Sequence, residues 1–124
     1  MELFQYDRLD PLSSYYELLQ DLIDRWEFEI VEFKEAKGQY DTNKIGQYFS
    51  AISNEANLKR QQFGWLIFGV SENKSKSIVG TQFKNGEGLL EKFKYEVSKN
   101  TNDNISFIDV IELYPKVDSK QYRV

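Results

Sequence analysis

An unbroken apolar run at residues 64–70, GWLIFGV, constrains the fold of this chain more than any other segment. Apolar and polar residues do not alternate within it, which is the pattern of a β-strand buried on both faces. The run is too short to cross a bilayer, because a membrane-spanning helix needs about 20 apolar residues. We therefore expect an interior strand of a β-sheet at 65–70 and no membrane-spanning segment.

Segments with the periodicity of helices and of strands alternate along the rest of the chain. A helix at 11–26 is predicted by the cap Asp10-Pro11 and by apolar residues spaced three and four apart. Two further helices and four further strands are predicted, at 43–57 and 86–99 and at 29–35, 78–79, 105–114 and 120–124. This order favours an α+β two-layer domain, in which two helices pack on one mixed sheet and the first helix is an addition. We expect the segment at 105–113 to be the second interior strand.

The absence of cysteine and histidine excludes several kinds of site from this chain of 124 residues. Without cysteine there are no disulfides and no thiolate metal sites. Without histidine there is no imidazole base, so any catalysis would depend on carboxylates, lysines, tyrosines or serines. Residues 1–25 lack the basic segment that begins a signal peptide, so we expect a cytoplasmic protein.

The net charge of −4 disfavours nucleic-acid binding, because phosphate contacts supply most of the non-specific affinity. The charge is unevenly distributed along the chain. Residues 1–41 carry a net charge of −7, and residues 42–124 carry a net charge of +3. One surface of the folded domain could therefore be basic although the whole chain is acidic. Ordinary solvated lysines explain the same distribution equally well.

Four stretches of the sequence form a pattern through their order and spacing. They are Glu32-Phe33-Lys34, the helix Ile45 to Asn54 with Ser50-Ala51, Leu66-Ile67-Phe68-Gly69-Val70, and Ile78-Val79-Gly80. Together they resemble the Schlafen Alba-type (AlbA) DNA-binding domain, which is found at the N-terminus of many bacterial transcriptional regulators. The resemblance implies an Alba-like two-layer fold and a DNA-binding role in such a regulator.

The same resemblance divides the chain into two parts. Residues 1–26 form an amphipathic N-terminal helix outside the pattern, and residues 27–124 form the Alba-like domain. The family pattern continues with a strand where this sequence stops, at Val124. We therefore expect a fragment of a longer protein, with a C-terminal domain of the same chain as a partner.

Basic residues in the predicted loops are the candidates for contacting nucleic acid, with DNA favoured over RNA. Together with the basic residue of the first strand, they are Lys34, Lys59, Arg60, Lys74 and Lys76. Aromatic side chains near basic residues could also stack on bases, and the candidates are Tyr40, Tyr48, Phe63 and Trp65. The competing interpretation places these aromatic side chains in or at the rim of the core.

Glu27, Glu32 and Glu72 carry the alternative function, a metal-dependent nuclease. Schlafen nucleases use three carboxylates, and the resemblance assigns that role to these three residues, with Lys34 placed to neutralise a phosphate. Carboxylates suit Mg²⁺ or Mn²⁺, the only cofactors expected, because hard cations prefer oxygen ligands. Residues five apart in a regular strand face opposite sides, so Glu27 and Glu32 converge only if the chain bends. The competing interpretation is exposed acids paired with Lys34 and Lys37.

A third hypothesis is a regulatory or oligomerisation module. It would use the apolar face of the helix at 11–26 to dock onto another domain or onto a second copy of the chain. Burial of the same face in the protein's own core is the competing interpretation, because an amphipathic helix normally covers a core.

Overall fold

A computed structural model of the protein describes residues 4–36, 42–100 and 109–124. Helices and strands are mixed along the chain, so the expected α+β class is confirmed. The elements are α1 Ser13–Asp24, a 3₁₀ turn Trp26–Phe28, β1 Val31–Lys34, α2 Thr42–Leu58, β2 Trp65–Phe68, α3 Leu89–Asn100, β3 Lys116–Val117 and β4 Lys120–Gln121. In the described part of the chain, no helix is both long and apolar enough to span a membrane.

Helix α1 begins two residues later than the sequence suggests. The Asp10 side chain accepts a hydrogen bond of 2.8 Å from the Leu12 amide, which forms a turn ahead of the helix. The predicted apolar face is buried at Tyr16, Leu19, Leu22 and Ile23. Because this face packs into the protein's own core, it does not serve as the docking surface of the third hypothesis.

Strands β1 and β2 pair in parallel, in a register that runs from Val31 opposite Trp65 to Lys34 opposite Phe68. Parallel neighbours need a crossover connection, and α2 supplies it. All four residues of β2 are half-buried, so the prediction that this segment is buried on both faces was wrong for 65–68. Among the described residues, only β1 pairs with β2 as a strand, which leaves the β2 side chains less covered than those of an interior strand.

Complete burial begins where the chain leaves β2, at Gly69 and Val70. Gly69 has a φ of +94°, and its carbonyl accepts the amides of Val79 and Gly80. An antiparallel bridge joins Val70 to Ile78 across the turn. The strand expected at 78–79 is therefore present only as this single bridge.

Strands β3 and β4 form a second hairpin, with Val117 opposite Lys120. The two connecting residues, Asp118 and Ser119, both have positive φ values of 51° and 67°. This is the geometry of a two-residue type I′ turn, whose twist matches that of the flanking strands. The strand expected at 120–124 is confirmed only over Lys120–Gln121.

The expected strand at 105–114 is only partly open to comparison, since 105–108 lie outside the described residues. Residues 109–114 are not assigned to a strand, so the expectation of a regular interior strand is wrong there. Leu113 and Val124 nevertheless exchange both of their backbone hydrogen bonds, at 2.9 Å each.

The described residues form two separate two-stranded sheets, one parallel and one antiparallel. A backbone bond of 2.9 Å from Thr81 to Arg123 links the two regions.

The N-terminal helix shares one hydrophobic core with residues of the expected Alba-like domain. Tyr16 and Leu19 of α1 pack in the same buried cluster as Phe33 of β1 and Val70. The Tyr16 hydroxyl also accepts a 2.8 Å hydrogen bond from the Tyr114 amide. A second cluster holds Ile45 of α2 with Phe83 and Phe93. The first cluster therefore packs α1 against β1 and against the residue that follows β2.

Candidate functional site

Lys34, the last residue of β1, lies at the centre of a charged cluster at the carboxyl end of the parallel strands. Its ammonium nitrogen lies 3.1 Å from Oε1 of Glu72 and 3.4 Å from Oε1 of Glu32. The same nitrogen lies 4.5 Å from the centroid of the Tyr48 ring, which α2 provides. The Lys34 side chain is only 13% exposed. A nearly covered cation is thus held between two carboxylates and an aromatic ring.

The surroundings of Lys34 raise its pKa above that of a free lysine. A hydrogen bond with Tyr48 makes the largest contribution, and hydrogen bonds with Glu72 and Glu32 add to it. Desolvation acts in the opposite direction, because burial disfavours the charged form, but it is outweighed. Lys34 is therefore an ammonium at neutral pH and suits a charge-neutralising role better than that of a general base.

Two of the three predicted carboxylates, those of Glu32 and Glu72, come together on Lys34. Glu27 is exposed and belongs to the 3₁₀ turn before β1, at the opposite end of that strand. Within the described ranges, no three acidic, histidine or cysteine residues converge as a metal-binding group. The chain does turn between Glu27 and Glu32, but the turn does not bring the two carboxylates into one such group.

Lys76 and Lys74 occupy the turn that follows β2, near the same cluster. The Lys76 ammonium donates a 2.9 Å hydrogen bond to the Glu72 carbonyl and lies 4.7 Å from the Trp26 ring centroid. It also lies 5.1 Å from the ring of Phe33. Lys76 therefore covers the surface of the core, whereas Lys74 is exposed and forms no ion pair with another described residue.

Lys59 and Arg60 follow the C-terminus of α2, and the chain then enters the amino end of β2. They thus lie at the opposite end of the parallel pair from Lys74 and Lys76. Lys59 forms a 2.8 Å ion pair with Glu55 one turn earlier. Arg60 is exposed, has a φ of +56°, and makes no ion pair within the described part of the chain. The four loop cations therefore form two separate groups.

The aromatic side chains predicted to stack on bases also lie in two different places. Phe63 and Trp65 lie together beside the Lys59–Arg60 loop, with ring centroids 6.0 Å apart. Tyr48 lies at the other end, on Lys34, a role that its place on the apolar face of a helix does not reveal. Tyr40 and Lys37 lie outside the described residues. The sequence offered one sign of the Lys34–Glu72 contact. Glu72 follows the end of β2 and Lys34 ends β1, and the carboxyl ends of two parallel strands lie side by side.

The family match covers most of the chain but leaves out helix α1. The sequence pattern of the family described as Schlafen, AlbA_2 matches residues 27–122, which include β1, α2, β2 and both groups of cations. No curated protein and no solved structure matches the chain. The match covers well over half of the sequence and confirms the resemblance drawn from its motifs. The chain belongs to the Schlafen AlbA_2 family.

Proposed function

We propose that this domain binds nucleic acid, and DNA in preference to RNA, through exposed basic side chains in its loops. Membership of the Schlafen AlbA_2 family is consistent with a nucleic-acid-related domain. The observation that carries the proposal is the exposed pair Lys59–Arg60 at the end of α2, where the Arg60 guanidinium has no ion-pair partner among the described residues. An unpaired guanidinium can contact phosphate oxygens without first breaking an internal bond.

The five predicted cations contribute unequally in this proposal. Lys34 is held by two carboxylates, and Lys76 covers Trp26 and bonds a carbonyl, so both already have internal partners. Lys59, Arg60 and Lys74 are exposed and are the proposed phosphate contacts. Because these three lie at two ends of the parallel pair, each end would make its own small set of contacts.

The biological context is part of the same proposal. The resemblance to N-terminal modules of bacterial transcriptional regulators supports a role in gene regulation, with a further domain of the same protein as partner. An Alba-like two-layer arrangement of the whole family-matched region, and self-association of the domain, are expectations of this context. Determining the full-length gene product would test it, because a winged-helix or ATPase region would support regulation.

Charge reversal at the loop tests the binding proposal directly. Fluorescence anisotropy would compare random duplex DNA, single-stranded DNA and RNA against the unmodified chain and the K59E/R60E double variant. We expect the variant to weaken binding to all sequences alike, and affinity to fall by about 0.9 log units per log unit of salt for each duplex phosphate contact. K92E/K120E, at two exposed lysines on α3 and β4, has the same net charge and is the matched control. Equal losses in both double variants would mean that net charge, and not this loop, governs binding.

Metal-dependent nuclease activity is the second candidate, and one observation favours it. Glu32 and Glu72 meet at the carboxyl end of two parallel strands, beside a lysine able to neutralise phosphate. Mg²⁺ sites commonly use one or two carboxylates and take further ligands from water and substrate phosphates. Glu32 and Glu72 would be the protein ligands of such an ion, which would compete with the Lys34 ammonium for them.

The nuclease candidate is tested with labelled DNA and RNA and added Mn²⁺. Activity that belongs to this site would be lost in both E32Q and E72Q. E27Q is the informative control, because Glu27 belongs to the 3₁₀ turn before β1 and does not form a metal-binding group of three carboxylates with the pair. Loss of activity in E27Q alone would favour the three-carboxylate scheme over the arrangement seen here, and cleavage unchanged in all three variants would assign it to a contaminant.

A further inference from the structure

Large apolar side chains are exposed at the amino end of the β1–β2 pair. Phe28, at the end of the 3₁₀ turn, is 78% exposed, and Leu58, the last residue of α2, is 85% exposed. Phe63, two residues before β2, is 48% exposed. Single exposed apolar residues are ordinary, but a group of them at one end of a sheet marks an interaction surface.

The chain is closely packed at Gly64, the residue between Phe63 and Trp65. A Cβ atom on Gly64 would lie 2.1 Å from Cγ2 of Ile52 on α2 and 3.1 Å from Cγ2 of Ile30. Position 64 thus lies against α2 and against the residue that precedes β1, and no space remains there for a side chain. The Phe63 ring lies instead beside Trp65, with the two ring planes inclined at 41°.

Arg60 supplies a cation three residues before Phe63. Its left-handed backbone conformation follows the last turn of α2, and its amide bonds the Asn57 carbonyl at 3.2 Å. The guanidinium is exposed, and Lys59 beside it is paired with Glu55. An arginine in the same loop as an exposed ring suits both phosphate contact and stacking on a base.

We propose that Phe63 and Trp65, together with Arg60, form a surface on which unpaired bases of a single-stranded nucleic acid stack. The proposal rests on the nucleic-acid-binding function above and narrows its substrate class. Bases within a duplex are already stacked on each other, whereas a single strand offers free base faces. Stacking also depends less on salt than phosphate contact does, which suits a chain with a net charge of −4 and with Glu55 beside the loop.

The decisive experiment distinguishes contacts with bases from contacts with phosphates. Anisotropy would compare a 12-nucleotide oligo-dT, an abasic strand of the same length, and a blunt duplex as probes of the chain and its variants. We expect F63A to weaken oligo-dT binding about 10-fold and to leave abasic-strand binding unchanged. F63W should restore the affinity, and R60A should weaken binding to both strands. F28A, which removes an exposed ring elsewhere on the same end, is the matched control.

The outcomes distinguish this inference from the function on which it rests. Oligo-dT affinity unchanged in F63A, or an equal loss on the abasic strand, would overturn stacking and leave nucleic-acid binding in place. Absence of binding to every probe at low salt would overturn both. If F63A instead abolished self-association in light scattering and left oligo-dT binding intact, the surface would be a protein interface. Thermal unfolding of F63A, in which a half-exposed ring is removed, verifies that the fold is retained.

Discussion

The ammonium nitrogen of Lys34 lies 3.1 Å from Oε1 of Glu72, although 38 residues separate the two along the chain. The contact joins the carboxyl end of β1 to the turn that follows β2, beyond the last backbone pair of the parallel ladder. It places a cation and two carboxylates at the edge of the sheet where ligands of parallel α/β arrangements commonly bind.

Replacement of Lys34 by Met tests how far this contact supports the fold. The variant leaves Glu32 and Glu72 as neighbouring unpaired carboxylates, but both are about half exposed and remain solvated. We therefore expect a loss of only about 1 kcal/mol in the free energy of unfolding. Urea denaturation measures it, with E27Q as a control that should be neutral. A loss as large as that of a core deletion would show that Lys34 is primarily a packing residue.

The raised pKa of Lys34 gives this stabilisation a defined pH dependence. A group whose pKa is higher in the folded state stabilises the fold fully below its unfolded pKa, about 10.4 for lysine. The contribution is then lost as the pH rises toward the folded pKa. The difference in unfolding free energy between the unmodified chain and K34M should be constant from pH 7 to 9 and should shrink above about pH 10.4. A difference that changes within the neutral range would assign the effect to another group.

The periodicity of the sequence located most elements but not their contacts. Helix α2 and strand β1 lie within about two residues of the predicted bounds because their apolar residues face a core in a regular pattern. Helix α3 begins at Leu89 and not at 86, since Gly88 has a φ of +76°, outside the helical region. The local sequence gives no such warning, because glycine is compatible with either conformation.

The candidate site was less predictable for a related reason. Glu32, Lys34 and Glu72 were identified from motifs, but their meeting depends on the register of β1 with β2, a long-range property. Tyr48 was missed as a partner of Lys34 because its position on the apolar face of α2 indicates burial and not contact with a cation. Glu27 was included because spacing in sequence does not reveal that the chain enters a 3₁₀ turn there.

Arg123 should contribute more to stability than any of the candidate binding cations. Its buried guanidinium bonds Glu112 at 2.5 Å and the Phe83 carbonyl at 2.8 Å, and it also reaches the carbonyls of Thr81 and Lys84. R123M leaves these acceptors without their donor, so we expect a loss of about 3 kcal/mol in the free energy of unfolding.

Chemical denaturation of R123M and K120M tests this expectation. Lys120 is exposed on the neighbouring hairpin strand, and K120M should change stability by less than about 0.5 kcal/mol. The two variants remove the same charge, so the comparison isolates the buried bonds. Similar stabilities for both would mean that water replaces the guanidinium at the carbonyls.

Gly69 and Gly46 give opposite predictions for the same substitution. At Gly69 the φ of +94° disfavours any side chain, and an added Cβ would lie 2.9 Å from the Arg123 carbonyl oxygen. We expect G69A to lower the free energy of unfolding by about 2 kcal/mol. Gly46 lies inside α2, and apart from the nearby backbone of the helix itself no atom lies within 4 Å of an added Cβ, so G46A should stabilise the protein by about 1 kcal/mol through helix propensity. Thermal or urea unfolding of the two variants measures both signs. If G69A does not change stability, the chain after β2 relaxes freely and does not fix the turn that carries Glu72. If G46A destabilises the protein, this face of α2 is covered in solution.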